Sequence, residues 1–185
     1  MRYTMDTLVG IIPVYLLVLS LPVMFALHEF EEWNILRWYK KHYTGIPEST
    51  DRSIRVWIIF ISILIFGVSG IALLFVENRI IFSILMVALS AFMITNIIQH
   101  VIWTIQYRDY SVGLITAGIL LGVVVFVNIS LFNAGLINAW FYVLSGYILI
   151  PVMKTVKSPH VMTQEIRGIH NIGIKLDTLL FSRKR

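Results

Sequence analysis

The sequence predicts an all-α fold, a polytopic membrane helical bundle of five transmembrane helices. Three observations predict it. Of the 185 residues, 58% are hydrophobic and only 14% are charged, with a mean hydropathy of +0.82, whereas soluble chains hold about 45–50% apolar residues. Five apolar stretches reach the roughly 20 residues that a helix needs to cross a bilayer. The links between the last four are only a few residues long, so successive helices run up and down as neighbours.

The first stretch, Thr7 to Leu27, exceeds a signal-peptide apolar core and is followed by no small-residue cleavage site, so it reads as a retained anchor. Pro13 and Pro22 fall inside it, where each removes a backbone donor and favours a kink. The others are Val56 to Val76, Ile80 to Ile105, Ser111 to Phe132 and Ala134 to Met153. Gly67 and Gly70 in the second stretch, and Gly113, Gly118 and Gly122 in the fourth, read as small residues that let helices approach. Trp33 to Tyr43 mixes aromatic and basic residues and reads as a helix leaving the bilayer through the headgroup layer. Residues 1–153 thus form a transmembrane domain. Residues 154–185 form a basic tail, whose apolar residues from Met162 to Leu180 recur near the helical period and predict an amphipathic helix on the membrane surface.

Charge sets the expected orientation. Thirteen lysines and arginines, among them Arg37, Arg52, Arg108 and Lys154, fall on one side of the predicted bundle, against two, Arg2 and Arg79, on the other. The positive-inside rule then places the N-terminus outside and the C-terminus in the cytoplasm of a multi-pass cell-membrane protein. The formal net charge of +5 points to the lipid bilayer and its anionic headgroups at the cytoplasmic face, and not to nucleic acid. The absence of cysteine excludes disulfides, thiolate metal sites and a cysteine nucleophile. No Walker or dinucleotide fingerprint is present.

Chemistry concentrates in two places. His28-Glu29-Phe30-Glu31-Glu32 follows the first apolar stretch directly. On a helix, positions three and four apart share a face, which sets His28, Glu31 and Glu32 together and turns Glu29 and Phe30 elsewhere. Within the third stretch lie Thr95, Asn96, Gln99 and His100, of which Asn96 and His100 share a face. His100 comes about 30 Å along that helix at 1.5 Å per residue, at the level of His28 on the same side of the membrane.

Imidazole with carboxylate is the ligand set of zinc and of non-haem iron or manganese. His28, Glu31, Glu32, Asn96 and His100 are therefore the candidate ligands of a divalent metal, with either Glu31 or Glu32 free to act as catalytic base. The alternative is an interhelical hydrogen-bond network that fixes packing or titrates. The first reading implies a metal-dependent membrane hydrolase acting on a lipid or a membrane-associated peptide; the second implies a small transporter or a partner subunit. Three further positions carry two readings each. Arg108, in the turn Tyr107 to Tyr110, binds a substrate phosphate or a lipid headgroup. Thr116 faces the site or bonds its own backbone. His160 and His170 close over the cluster or stay solvated.

The His28 to Glu32 run, followed by Asn96-Ile97-Ile98-Gln99-His100, resembles the HXXEE family of bacterial integral membrane proteins. That resemblance covers most of the chain and implies a membrane fold without an established activity. Members tend to carry Pro-Gly at the start of a later helix; Ser111-Val112-Gly113 keeps only the glycine. The arrangement is loosely similar to membrane CAAX proteases as well. Arg37 falls one position too late for their Glu-Glu-x-x-x-Arg pattern, and Asn96…His100 reverses their His-x-x-x-Asn.

Overall fold

The structure, a computed structural model, describes residues 8–9, 12–138, 140–146, 150–157 and 159–181. Apart from a short antiparallel pair, β1 (Leu8–Val9) and β2 (Ile12–Pro13), its elements are helical. They are α1 (Val14–Glu31), a 3₁₀ turn (Glu32–Asn34), α2 (Ile35–His42), α3 (Asp51–Leu74), α4 (Arg79–Tyr107) and α5 (Leu114–Asn133). Three more follow: α6 (Trp140–Ser145), α7 (Ile150–Lys157) and α8 (Gln164–Phe181).

Among the described residues, four helical runs are long and apolar enough to cross a membrane: Val14–His42, Asp51–Leu74, Arg79–Tyr107 and Leu114–Asn133. The fifth expected span, Ala134 to Met153, falls partly on residues 139 and 147–149, which lie outside the described residues; its described helical parts are α6 and α7. Thr7, where the first span was expected to begin, also lies outside them.

Pro13 is not inside the first helix. Its φ of −60° and ψ of 142° make it the N-cap of α1, a place where a proline's missing N–H costs nothing. Pro22 is buried within α1. At the head of α3, Thr50 and Ser53 cap each other's backbone at 3.1 and 3.0 Å, which satisfies donors that the first turn would otherwise leave open. Asn78 does the same for α4, accepting from the N–H of Ile81 at 3.3 Å.

The four long runs alternate in direction. α1 packs against α3 and α5, and α4 packs against α5 and α3, so the helices form a ring. Leu21, Phe25, Met86, Met93, Leu120 and Val127 are fully buried at its centre. Lipid tails are as apolar as these side chains, so tight packing rather than water exclusion drives such contacts. Close approach is provided by Ser69, Ala72, Ser90 and Ala117, all buried. The expected glycines do not serve it: Gly67, Gly70, Gly118 and Gly122 have open space where a Cβ would stand. Gly113 is the exception, and it packs on His100 and Glu32.

α8 lies across the start of α3. A Cβ at Gly173 would stand 2.6 Å from the carbonyl oxygen of Ser53, so only glycine permits this approach. Arg52 Nε meets Asp177 Oδ1 at 2.6 Å, and His170 Nδ1 lies 2.7 Å from Ser49 Oγ. The opposite face of α8 exposes Ile172, Leu179 and Leu180.

Candidate metal centre

The histidine-glutamate run lies inside a continuous helical stretch, Val14–His42, rather than beyond a helix end. At about 100° per residue, Glu32 and Glu29 fall on one side of His28 and Glu31 on the other. The backbone follows that arithmetic. His28, Glu29 and Glu32 are buried, while Phe30 is 68% exposed. Glu29, expected to point elsewhere, instead lines a cavity beside the cluster.

His28, Glu32 and His100 offer ligand atoms that all lie within 4.8 Å of one another, and together they could hold a metal ion. Glu32 Oε1 stands 3.0 Å from His28 Nε2 and 2.7 Å from His100 Nε2. Asn96 Oδ1 is 2.7 Å from His28 Nε2. The two imidazole rings meet edge to face, with centroids 5.0 Å apart. Despite these short separations Glu32 Oε1 accepts no well-aligned hydrogen bond and is closed to solvent. A buried carboxylate oxygen in that state needs a positive charge beside it.

The outer nitrogens show how the rings are held. Glu31 turns to α5, where Oε2 accepts from the backbone N–H of Thr116 at 2.9 Å and from its hydroxyl at 2.5 Å. Tyr110 donates its hydroxyl to Glu31 Oε1. With its proton given to Glu31, Thr116 Oγ1 is left to accept from His28 Nδ1, 3.1 Å away. His28 thereby turns Nε2 toward two acceptor oxygens, Asn96 Oδ1 and Glu32 Oε1, a meeting that requires a proton or a cation between them. His100 is arranged alike, with Nδ1 3.0 Å from Ser111 Oγ and Nε2 toward Glu32. Metal-ligating histidines are oriented in this way, one ring nitrogen tied to a fixed partner and the other free for the ion.

Glu31 also answers the open N–H groups at the start of α5, where a carboxylate is favoured by the helix dipole. Around Tyr110, burial first and the Glu31 carboxylate second push the phenol above its ordinary range. Gly113 takes φ +101° as the cap of α5. A Cβ there would stand 2.9 Å from His100 Cε1 and 3.0 Å from Glu32 Oε1. The glycine is thus required twice, by backbone and by neighbours.

Other expected positions lie outside this centre. Arg108 is exposed in the left-handed region at the end of α4, off the cavity. Beside it, Asp109 is held below the usual carboxylate range by Lys41 and His42. His160 is exposed and donates from Nδ1 to the carbonyl of His42 at 2.9 Å. His170 is fully buried rather than solvated, and desolvation pulls its pKa down to about 4.

The cavity measures about 320 Å³ and runs between α3 and α4 under the first turns of α8. Glu29, Glu32, Asn96 and His100 form its polar end, and Ile54, Ile58, Trp57 and Phe92 its apolar walls. Sequence reasoning missed Glu29, Ser111 and this roof. The 100° spacing contained the signal for Glu29, and the lone glycine after Ser111 contained one for the turn.

No curated protein and no solved structure matches the chain significantly. The family model described as "protein of unknown function with HXXEE motif" matches residues 19–128, more than half of the chain and including both halves of the cluster, and the chain belongs to that family.

Proposed function

We propose that this is a metal-dependent integral membrane enzyme, a hydrolase acting from the cytoplasmic side on a lipid or membrane-associated substrate. The observation that carries the reading is Glu32 Oε1, buried between two imidazole nitrogens without a hydrogen bond. His28, Glu32 and His100 would hold the ion, with Asn96 beside them. Zinc, iron or manganese accepts such a set. A bound divalent ion supplies Lewis acidity and lowers the pKa of water. Thr116 and Ser111 orient the two imidazoles, and Glu31 orients Thr116. The cavity walls exclude bulk water and open toward the bilayer. The cytoplasmic assignment is supported by thirteen of the fifteen lysines and arginines falling at the predicted inner side.

The test is metal analysis of protein purified without chelator and then exposed to zinc, iron or manganese, beside His28→Ala and His100→Ala. One ion per wild-type chain, lost in both variants, is expected. A wild-type protein that holds none of the three defeats the reading. In that case a second reading gains, favoured by the 2.7 Å approach of His28 Nε2 to Asn96 Oδ1, which a protonated His28 would satisfy. The cluster is then a proton-titrating network in a non-catalytic membrane protein.

A further inference from the structure

We propose that the cavity binds a single-chain amphiphile, which enters sideways from the bilayer between α3 and α4 and presents a hydrogen-bond-donating head, an amine or a hydroxyl, to Glu29. This names a substrate class and rests on the membrane-enzyme reading above.

Shape argues for one chain. A volume of about 320 Å³ lies at the low end of small-molecule pockets, and at ~30 Å³ per water it equals roughly ten waters or a similar number of chain carbons. A peptide helix, about 10–12 Å across, does not fit whole.

Position argues for lateral entry. Of the partly exposed lining residues, Trp57, Phe92, Thr95 and Ile169 sit at the α3–α4 gap and the edge of α8. Ile54, Ile58, Trp103 and His100 behind them are buried. Both flanking helices are candidate spans, so the gap opens onto the surface that lipid covers. On the remaining side Thr163 and Ile166 of the α8 region close the cavity. An amphiphile already in the membrane reaches the polar end without leaving the apolar phase.

Charge argues for the head. Among the described residues three glutamates line the cavity and no lysine or arginine does. Glu165 is paired with Lys154 at 2.6 Å, and Glu32 lies between the imidazoles. Glu29 is 5% exposed, faces the cavity and makes no hydrogen bond or ion pair with another described residue. A carboxyl so placed accepts from a donor head, whereas a phosphate or carboxylate head beside Glu29 would set one acidic group against another.

Trp57 and Trp103 in the lining provide the readout. Full-length protein in phosphatidylcholine nanodiscs is titrated with terminally brominated dodecylamine, dodecanol and dodecyl phosphate, which quench nearby indoles. The expected result is saturable quenching by the amine or the alcohol, at least tenfold weaker for the phosphate, and lost in Ile58→Phe and Ile61→Phe, which fill the cavity. Glu29→Leu should weaken the amine at least tenfold with its thermal midpoint monitored in parallel. Unsaturable quenching that is unchanged in both filled variants overturns the site, and a phosphate probe that binds as tightly as the amine overturns the head assignment. Each titration is run on metal-loaded and on chelator-treated protein. Binding by protein that takes up no metal would defeat the metal reading alone; metal uptake without probe binding would defeat this inference alone.

Discussion

Gly113 touches His100 across the turn between α4 and α5, leaving 2.9 Å between the ring carbon Cε1 and the point where a Cβ would stand. The backbone there is left-handed, with φ +101°. Gly113→Ala therefore combines strain of about 1–3 kcal/mol with displacement of His100 and Glu32. Gly135→Ala is the control, since Gly135 has φ +69° but open space around it. Thermal melts should show both variants destabilised, and metal analysis should show only Gly113→Ala losing the ion.

Thr116 passes the orientation of Glu31 on to His28. Removing its hydroxyl in Thr116→Val should weaken metal binding about 10–100-fold, the usual effect of losing a partner behind a ligand. Thr116→Ser should stay near wild type. Competition titration against a chromophoric chelator measures both.

The two glutamates of the motif should separate. Glu32→Gln removes the central oxygen and should abolish stoichiometric metal. Glu31→Gln should keep the stoichiometry but lose charge-assisted bonds to the head of α5, each worth about 1.5–3 kcal/mol. The expected outcome is a lower melting temperature with metal content retained, and equal metal loss from both variants would contradict it.

Acid should loosen α8. The pKa of His170 is pulled down to about 4 by burial, below its unfolded value of about 6.5. The unfolded or undocked state therefore binds the proton first, and docking weakens as pH falls from about 6.5 toward 4. Ser49 Oγ and the Tyr39 ring stand against the imidazole, and the Arg52–Asp177 pair lies two turns further along α8. Tryptic cleavage after Arg167 or Lys175 at graded pH should accelerate across this window after correction for protease activity. His170→Leu should flatten the dependence.

Gly173→Leu tests the same docking at neutral pH. Its side chain would meet the Ser53 carbonyl and Trp57, so α8 must lift. Acrylamide quenching of Trp57 should rise, while far-UV circular dichroism stays close to wild type.

Much of this arrangement is legible in the sequence. Apolar length alone locates the four long helices, and counting residues along them brings His28 and His100 to one level, where their rings meet. The division of labour among the glutamates is less legible. It depends on a helix that continues past Glu29 and then tightens into a 3₁₀ turn at Glu32, and on α5 offering its first N–H groups to Glu31. Neither is visible in a pattern of spacing. The roof over the cavity is hidden for another reason: the apolar face of α8 reads equally well as bound to lipid or to protein. The approach of Gly173 to Ser53, with the His170–Ser49 and Arg52–Asp177 contacts, distinguishes them.

Because α8 follows all four long helices in the chain, synthesis delivers the walls of the cavity before its cover. In chain order, Glu29, Glu32, Asn96 and His100 are all made before Thr163 and Ile166, which close the cavity. Biogenesis thus includes an interval in which His28, Glu32 and His100 stand without the cover that α8 later provides.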